Sequence, residues 1–202
     1  MLGTIGRTGS GLLVAMLLLT ATVQSVGADD VTTAIEEALK AYQDGDHSTA
    51  VESLNYASQL IQQKKGEALK DYFPEPLKGW QAQEATSETI GAAMMGGGLT
   101  ASRTYSRDDR SVTVQFVTDS PMLQPFMMML ANPMAAASNG GKLETIGGQK
   151  ALVQYDASKK RGDIRIVVAN RVLVTLEGNA VSAEDLKAYA QAVDYDRLSK
   201  MP

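Results

Sequence analysis

The regular alternation of apolar and polar residues between positions 140 and 178 constrains the fold more than any other stretch of this chain. Turn residues interrupt the alternation at short intervals. Residues 167–174 have the pattern of the two inner arms of a β-hairpin that bends at 169–171. Because a lone hairpin is marginal in water, this stretch predicts a larger antiparallel sheet that the rest of the chain must cover.

Further strands and helices are predicted on either side of this hairpin. Residues 99–106 and 111–118 alternate around a charged turn, and Gly147-Gly148 has the composition of a two-residue hairpin turn. Antiparallel strands with packed helices form an α+β fold, which we assign to residues 79–202. The other predicted elements are a helix at 86–95, a Met-rich helix at 122–130, strands at 142–146, 149–156, 163–169 and 171–177, and a last helix after Ser182.

This order of elements resembles the PsbP-like domains, which are known from extrinsic photosystem II subunits and from bacterial envelope proteins. The residues that carry the resemblance are Gly79-Trp80, the segment TYSRDDRSVTVQF at 104–116, residues 146–151 and the terminal helix. The resemblance implies a fold without a shared catalytic site, whose members mostly assist or stabilise larger assemblies. No functional residue is carried over from it.

The first 28 residues have the three-part pattern of a cleaved secretory signal peptide. Arg7 precedes a short apolar run at 11–20, and Val26-Gly27-Ala28 offers small residues to a signal peptidase. The alternative is an uncleaved anchor, for which the apolar run is short of the roughly 20 residues that a span needs. We therefore expect an exported protein in a Gram-negative-type periplasm.

Residues 29–70 predict two amphipathic helices joined by a turn at Gly45, because apolar residues recur every three or four positions. The pattern resembles one tetratricopeptide unit at Ala38, Tyr42, Gly45-Asp46, Ala50, Leu54 and Ala57. A single unit cannot bury its own apolar face. The helical hairpin is therefore expected to lean on the following domain, on a protein partner through Tyr42, His47 and Leu54, or on a second copy, which would make a homodimer. Residues 71–78, with two prolines, are interpreted as a linker.

The charge balance argues against several classes of partner. The chain has 19 basic and 23 acidic residues, and removal of residues 1–28 with Arg7 leaves a net charge of −5 (18 − 23). A mildly acidic chain without a basic block is a poor candidate for binding nucleic acid or anionic lipid. Any membrane association is expected to be indirect.

No catalytic or metal site is predicted. The chain has one histidine, His47, and no cysteine, so a nucleophile–histidine system or a thiolate metal site lacks its parts. The adjacent carboxylates of Asp108 and Asp109 diverge on a turn, and the sequence indicates no carboxylate pair held in a cleft. We expect no cofactor and a non-enzymatic protein.

Methionine is the one residue in excess, with ten in the chain. Three hypotheses stay open: plain core packing, a deformable apolar surface for a partner or a lipid tail, and a Cu(I) site. The proposed surface consists of Met122, Phe126, Met129, Leu130, Met94 and Met95. The sequence favours a periplasmic accessory protein that assists an envelope assembly through the helical hairpin and this surface. The alternative is a carrier of a hydrophobic small molecule or, less favoured, of Cu(I).

Overall fold

The computed structural model describes residues 29–90, 98–118, 120–121, 123–138 and 140–201. The predicted signal peptide, Met94, Met95 and Met122 lie outside these residues. In chain order the elements are α1 (Asp30–Gln43), α2 (His47–Lys70), β1 (Gln81–Ala82), β2 (Thr86–Ile90), β3 (Gly98–Arg107), β4 (Arg110–Thr118), α3 (Leu123–Ala131), α4 (Pro133–Ser138), β5 (Lys142–Ile146), β6 (Gln149–Asp156), β7 (Arg161–Val168), β8 (Val172–Asn179), α5 (Ala183–Ala192) and α6 (Tyr195–Ser199). The predicted α+β class is confirmed.

The two N-terminal helices form the predicted helical hairpin, and local side chains define both starts. The Asp29 carboxylate accepts a hydrogen bond from the Thr32 amide at 3.0 Å, and that of Asp46 accepts one from the Thr49 amide at 3.1 Å. These caps satisfy backbone donors that a helix start leaves free. Gly45 has φ +80° between the helices, a conformation that costs glycine little. No helix among the described residues is long and apolar enough to cross a membrane.

The strands form one antiparallel sheet in the order β1-β3-β4-β8-β7-β6-β5, with β2 also paired to β3. Its connections are tight where the sequence supplies turn residues. Gly147 and Gly148 both have positive φ, as a two-residue type I′ turn requires, and Ala169-Asn170 repeats this sign pattern without glycine. The predicted strands at 142–146 and 149–156 are confirmed residue for residue.

One face of the sheet carries the core. Alternate residues of the central strands, such as Val114, Phe116 and Ile166, are completely buried there. The helices α5 and α6 cover this face with Leu186, Tyr189 and Leu198 among other residues. This inward alternation is typical of an antiparallel sheet whose main core lies on one face.

The predicted linker at 71–78 packs against this core face. The Phe73 ring stacks on Phe116 at 4.4 Å between centroids, and the Tyr105 hydroxyl donates to the Pro74 carbonyl at 2.6 Å. Trp80 is buried and contacts Tyr189 edge-on at 5.2 Å. The C-terminal end of α2 is thereby held on the sheet.

The helix predicted at 86–95 is wrong over its described part, since residues 86–90 form β2. This strand pairs along β3, from Thr86 opposite Ser102 to Ile90 opposite Gly98. Threonine and isoleucine suit a strand, and the free edge of β3 satisfies the backbone groups that a short helix would leave at its ends. Residues 91–95 lie outside the described part of the chain.

The two arginines of the charged turn at 107–110 contact the helix α5. The Arg107 guanidinium lies 3.1 Å from the Asp185 carboxylate and 4.7 Å from the centre of the Trp80 ring. Arg110 lies 3.7 Å from the same carboxylate. The turn therefore attaches β3 and β4 to the first turn of α5, while its two aspartates are exposed.

Candidate functional site

The helical hairpin buries only small residues between its own helices. Ala34 and Ala38 of α1 and Ala50 and Ala57 of α2 are almost completely buried. Alanine allows two helices to approach closely and leaves no large side chain at the centre of their contact. The larger apolar residues beside these alanines consequently lie along the two exposed edges of the helix–helix contact, which we call its shoulders.

These shoulders form an open apolar groove of about 530 Å³. We call this surface the apolar groove; its lining residues are Ile35, Ala38, Leu39, Tyr42, His47, Ala50, Val51 and Leu54. The rings of Tyr42 and His47 lie 5.6 Å apart at its closed end, beside the Gly45 turn. All three residues predicted to dock a partner, Tyr42, His47 and Leu54, line this one surface.

The exposure of this groove is exceptional within the described chain. Seven residues of the helical hairpin have relative exposures between 43% and 64%. They are Ile35, Leu39, Tyr42, Val51, Leu54, Tyr56 and Ile61. The remaining large apolar residues that are exposed among the described ones, Met128 and Met134, lie on α3 and α4. Five of the seven, Ile35, Leu39, Tyr42, Val51 and Leu54, line the groove together, and a contiguous apolar patch of this kind is typical of an interaction surface.

The sheet does not cover the groove, because α2 reaches the sheet with its other end. Leu69 belongs to the buried core, and Gly66 approaches Ser87 and Leu99 of the sheet closely. At 1.5 Å per helical residue, Leu54 lies about 22 Å along α2 from Leu69. The helical hairpin thus projects the groove away from the domain that anchors it.

The Met-rich segment lies on the other side of the sheet, against β6 and β7. Phe126, Met129 and Leu130 are half-buried, and the Arg165 guanidinium lies 5.6 Å from the centre of the Phe126 ring. The structure therefore brings three residues of the proposed surface onto one short helix. Because Met94, Met95 and Met122 lie outside the described residues, the ligand surface and the Cu(I) site built on them stay predictions.

The sheet also brings together a carboxylate pair that sequence reasoning missed. Asp163 of β7 and Glu177 of β8 are directly opposite in the register, on the polar face of the sheet. The predicted bend at 169–171 implies this pair, because strands that fold back about Asn170 place residue 163 opposite residue 177. The two residues line a polar depression of about 610 Å³ together with Gln154 and Arg161.

The surroundings of Asp163 disfavour its ionised form. Burial raises the pKa of the Asp163 carboxyl, the Arg165 guanidinium at 3.3 Å partly offsets that rise, and the charge of Glu177 adds to it. Oδ2 of Asp163 is buried and accepts no hydrogen bond within the described part of the chain. No group of three or more histidine, cysteine or acidic residues that could hold a metal ion occurs among the described residues.

Comparison of the chain with protein-family models, with curated proteins and with solved structures finds no match. The resemblances to PsbP-like domains and to a tetratricopeptide unit therefore stay predictions from the sequence.

Proposed function

We propose that this chain is a non-enzymatic accessory protein of the cell envelope that holds a protein partner in the apolar groove. The observation that carries the proposal is the pairing of buried alanines with exposed large apolar residues on the same two helices. The proposed location rests on the signal-peptide pattern of residues 1–28. An accessory role also accords with what the PsbP-like resemblance implies.

The apolar area on offer is large enough to matter for binding. Ile35, Leu39, Tyr42, Val51 and Leu54 are each about half exposed. Full burial of such a side chain contributes about 1.5–3 kcal/mol, so covering the exposed halves would contribute about 4–8 kcal/mol in total. Association itself costs about 4–15 kcal/mol. The groove alone therefore supports weak or transient binding, and tight binding needs further contacts around it.

Site-specific photo-crosslinking in cells of the source organism tests the proposal. A benzophenone amino acid at Leu39 should give one adduct with a second protein, and the additional substitution Leu54→Gln should abolish it. The same group at Tyr56 is the matched control. Tyr56 is 54% exposed, as is Leu54, but it does not line the groove. It lies about 160° around α2 from Leu54.

Three outcomes would contradict the proposal. They are the absence of any adduct from Leu39, equal adducts from Leu39 and Tyr56, and an adduct of twice the mass of the chain, which would indicate a homodimer.

A specific observation favours the carrier of a hydrophobic small molecule as the second candidate. A largely apolar crevice of about 390 Å³ lies where α1 and α2 meet the sheet. It is lined by Val31, Ile61, Leu69, Tyr72, Leu99 and Met201 among others, and its volume lies within the usual range of ligand pockets. Native mass spectrometry of the purified protein tests this candidate. The mass of the polypeptide alone would argue against a carrier, and an additional lipid-like mass would support one.

A further inference from the structure

We infer that the partner segment that fits the apolar groove is a cationic amphipathic helix of another protein. This inference rests on the proposed function and adds the chemistry of the partner. It is carried by two features of the same surface: the shape of the groove between two helices, and the acidic charge around its rim.

The shape suits a third helix. The groove runs between α1 and α2 from Ile35 to Tyr42, a rise of about 10 Å, or two helical turns. Helices pack with their axes about 8–10 Å apart, so a helix laid along the two shoulders would contact both of them. Such a ligand presents apolar anchors at positions i, i+3 or i+4, and i+7.

The part of the helical hairpin that carries the groove is acidic. Between residues 31 and 62 the helical hairpin has five acidic side chains and one basic side chain, a net charge of −4 (1 − 5). The acidic residues are Glu36, Glu37, Asp44, Asp46 and Glu52, and all of them are exposed.

The single cation of this region lies away from the groove. Lys40, Glu37 and Glu52 each lie at least about 100° around their helices from every lining residue, whereas Glu36 is only about 60° from Leu39. Asp44 and Asp46 flank the Gly45 turn at the closed end, so the carboxylates near the groove are those of Glu36, Asp44 and Asp46. A ligand helix in the groove therefore meets negative charge at its flanks. Lysine or arginine at the flanking positions would add favourable interactions and speed the encounter.

The same charge argues against a second copy of this chain as the occupant. Two apposed helical hairpins would bring two segments of charge −4 within a Debye length, about 8 Å at physiological ionic strength. Like charges placed together across an interface cost binding free energy. The charge of the helical hairpin therefore favours a cationic occupant over a second copy.

Three labelled synthetic peptides of the same length test the inference with the full mature chain. The first has leucine at i, i+3 or i+4, and i+7 with lysine elsewhere; the second replaces every lysine with glutamate; the third is a scrambled lysine peptide. Fluorescence anisotropy at about 50 mM and about 500 mM salt separates screened from unscreened contributions. We expect the amphipathic lysine peptide to bind at least tenfold more tightly than the other two at low salt, and this advantage to shrink at high salt.

Matched variants locate the binding. Leu54→Gln should weaken binding of the lysine peptide at least fivefold, whereas Tyr56→Gln should leave it unchanged. Glu36→Gln with Asp44→Asn should weaken it at low salt only. The control pair Glu84→Gln with Glu88→Gln makes the same change in net charge on exposed residues outside the groove.

The inference is overturned if the glutamate peptide binds as well as the lysine peptide, if no peptide binds, or if both charge pairs weaken binding equally. A groove-specific crosslink to a partner together with any of these results would reject the cationic helix and retain the proposed function. Loss of the groove-specific crosslink would reject both.

Discussion

Two leucines of α2 undergo the same substitution in opposite environments, which makes them a direct test of the exposed groove. Leu69 is 1% exposed in the core, and Leu54 is 54% exposed in the groove. Both residues lie in α2, Leu54 in its interior and Leu69 next to its last residue, so helix propensity makes only a small contribution to the difference. The difference between their effects on the free energy of unfolding therefore reports mainly how deeply each side chain is buried.

The expected magnitudes follow from these exposures. Leucine to alanine removes about three carbon groups, each contributing about 0.8 kcal/mol when fully buried, so transfer alone costs about 2.4 kcal/mol at Leu69. The cavity left in the core raises the cost to about 3–5 kcal/mol. At Leu54 about half of the side chain is already in water and no cavity forms, so the cost is about 1 kcal/mol.

Urea unfolding of both variants and of the unchanged chain provides the assay. Fluorescence of Trp80, the only tryptophan of the chain and a buried one, follows the sheet domain, and far-UV circular dichroism follows the helices. Each unfolding curve is measured at two protein concentrations that differ about a hundredfold, because self-association makes apparent stability depend on concentration.

One result would refute the reasoning. If Leu54→Ala cost as much as Leu69→Ala at both concentrations, the groove would be covered within the single chain. A cost at Leu54 that appeared only at high concentration would instead mean that a second copy covers the groove. Either finding would remove the basis of the proposed function.

Three further predictions concern the polar face, the N-terminal cap and a tight turn. Burial, with the charge of Glu177 added, raises the pKa of Asp163, so the ionised form is disfavoured in the folded state. Asp163→Asn should therefore raise the free energy of unfolding at neutral pH by about 0.2–1 kcal/mol. Unfolding curves at several pH values should show this gain vanish below the unfolded-state pKa near 4. The hydrogen bond from Lys64 lowers the pKa of Asp29 to about 2, so its stabilising contribution should be present above about pH 4 and lost as the pH falls through 2; an NMR titration should show this pKa rising in Lys64→Ala. Gly147→Ala should lower the free energy of unfolding by about 2–4 kcal/mol, because φ is +56° there and the new Cβ would lie 2.5 Å from the ring of Tyr195. Thermal unfolding measures this loss, and a neutral effect would show that the turn can relax.

Local signals made parts of the sheet predictable from the sequence. The strands β5 and β6 were bounded correctly because the Gly147-Gly148 turn fixes their register over a few residues. The pairing of β4 with β8 was not predictable, because Ser111 and Asn179, which face each other, are separated by most of the domain. Such non-local pairing depends on which apolar faces meet in the folded core, and periodicity within one strand carries no record of its neighbour.

The segment at 86–95 shows how tertiary pairing overrides a local pattern. Thr86 and Ser87 read as helix caps in isolation, and the residues after them had no strong alternation. In the fold, β3 is longer than β1 and leaves part of its edge unpaired, and β2 fills that part. The residues of this segment carry no information about the unpaired edge of β3. The helix predicted at 86–95 was therefore wrong for a physical reason that lies outside the segment.

For the apolar groove, the sequence predicted the amphipathic helices correctly but not which of their apolar residues stay exposed. Periodicity identified the faces of α1 and α2 but could not tell which apolar residues on them would be covered, and in the fold the alanines are buried while Leu39 and Leu54 are not. The buried core of the sheet domain is closed by α5, α6 and residues 69–80, without any residue of the groove. The exposed side chains therefore contribute little to folding, while their exposed apolar surface favours association in water at about 25 cal/mol per Å² covered. A partner that covers them gains this free energy without disturbing the fold, and for this reason the groove, rather than the polar face of the sheet, is the surface to which we assign function.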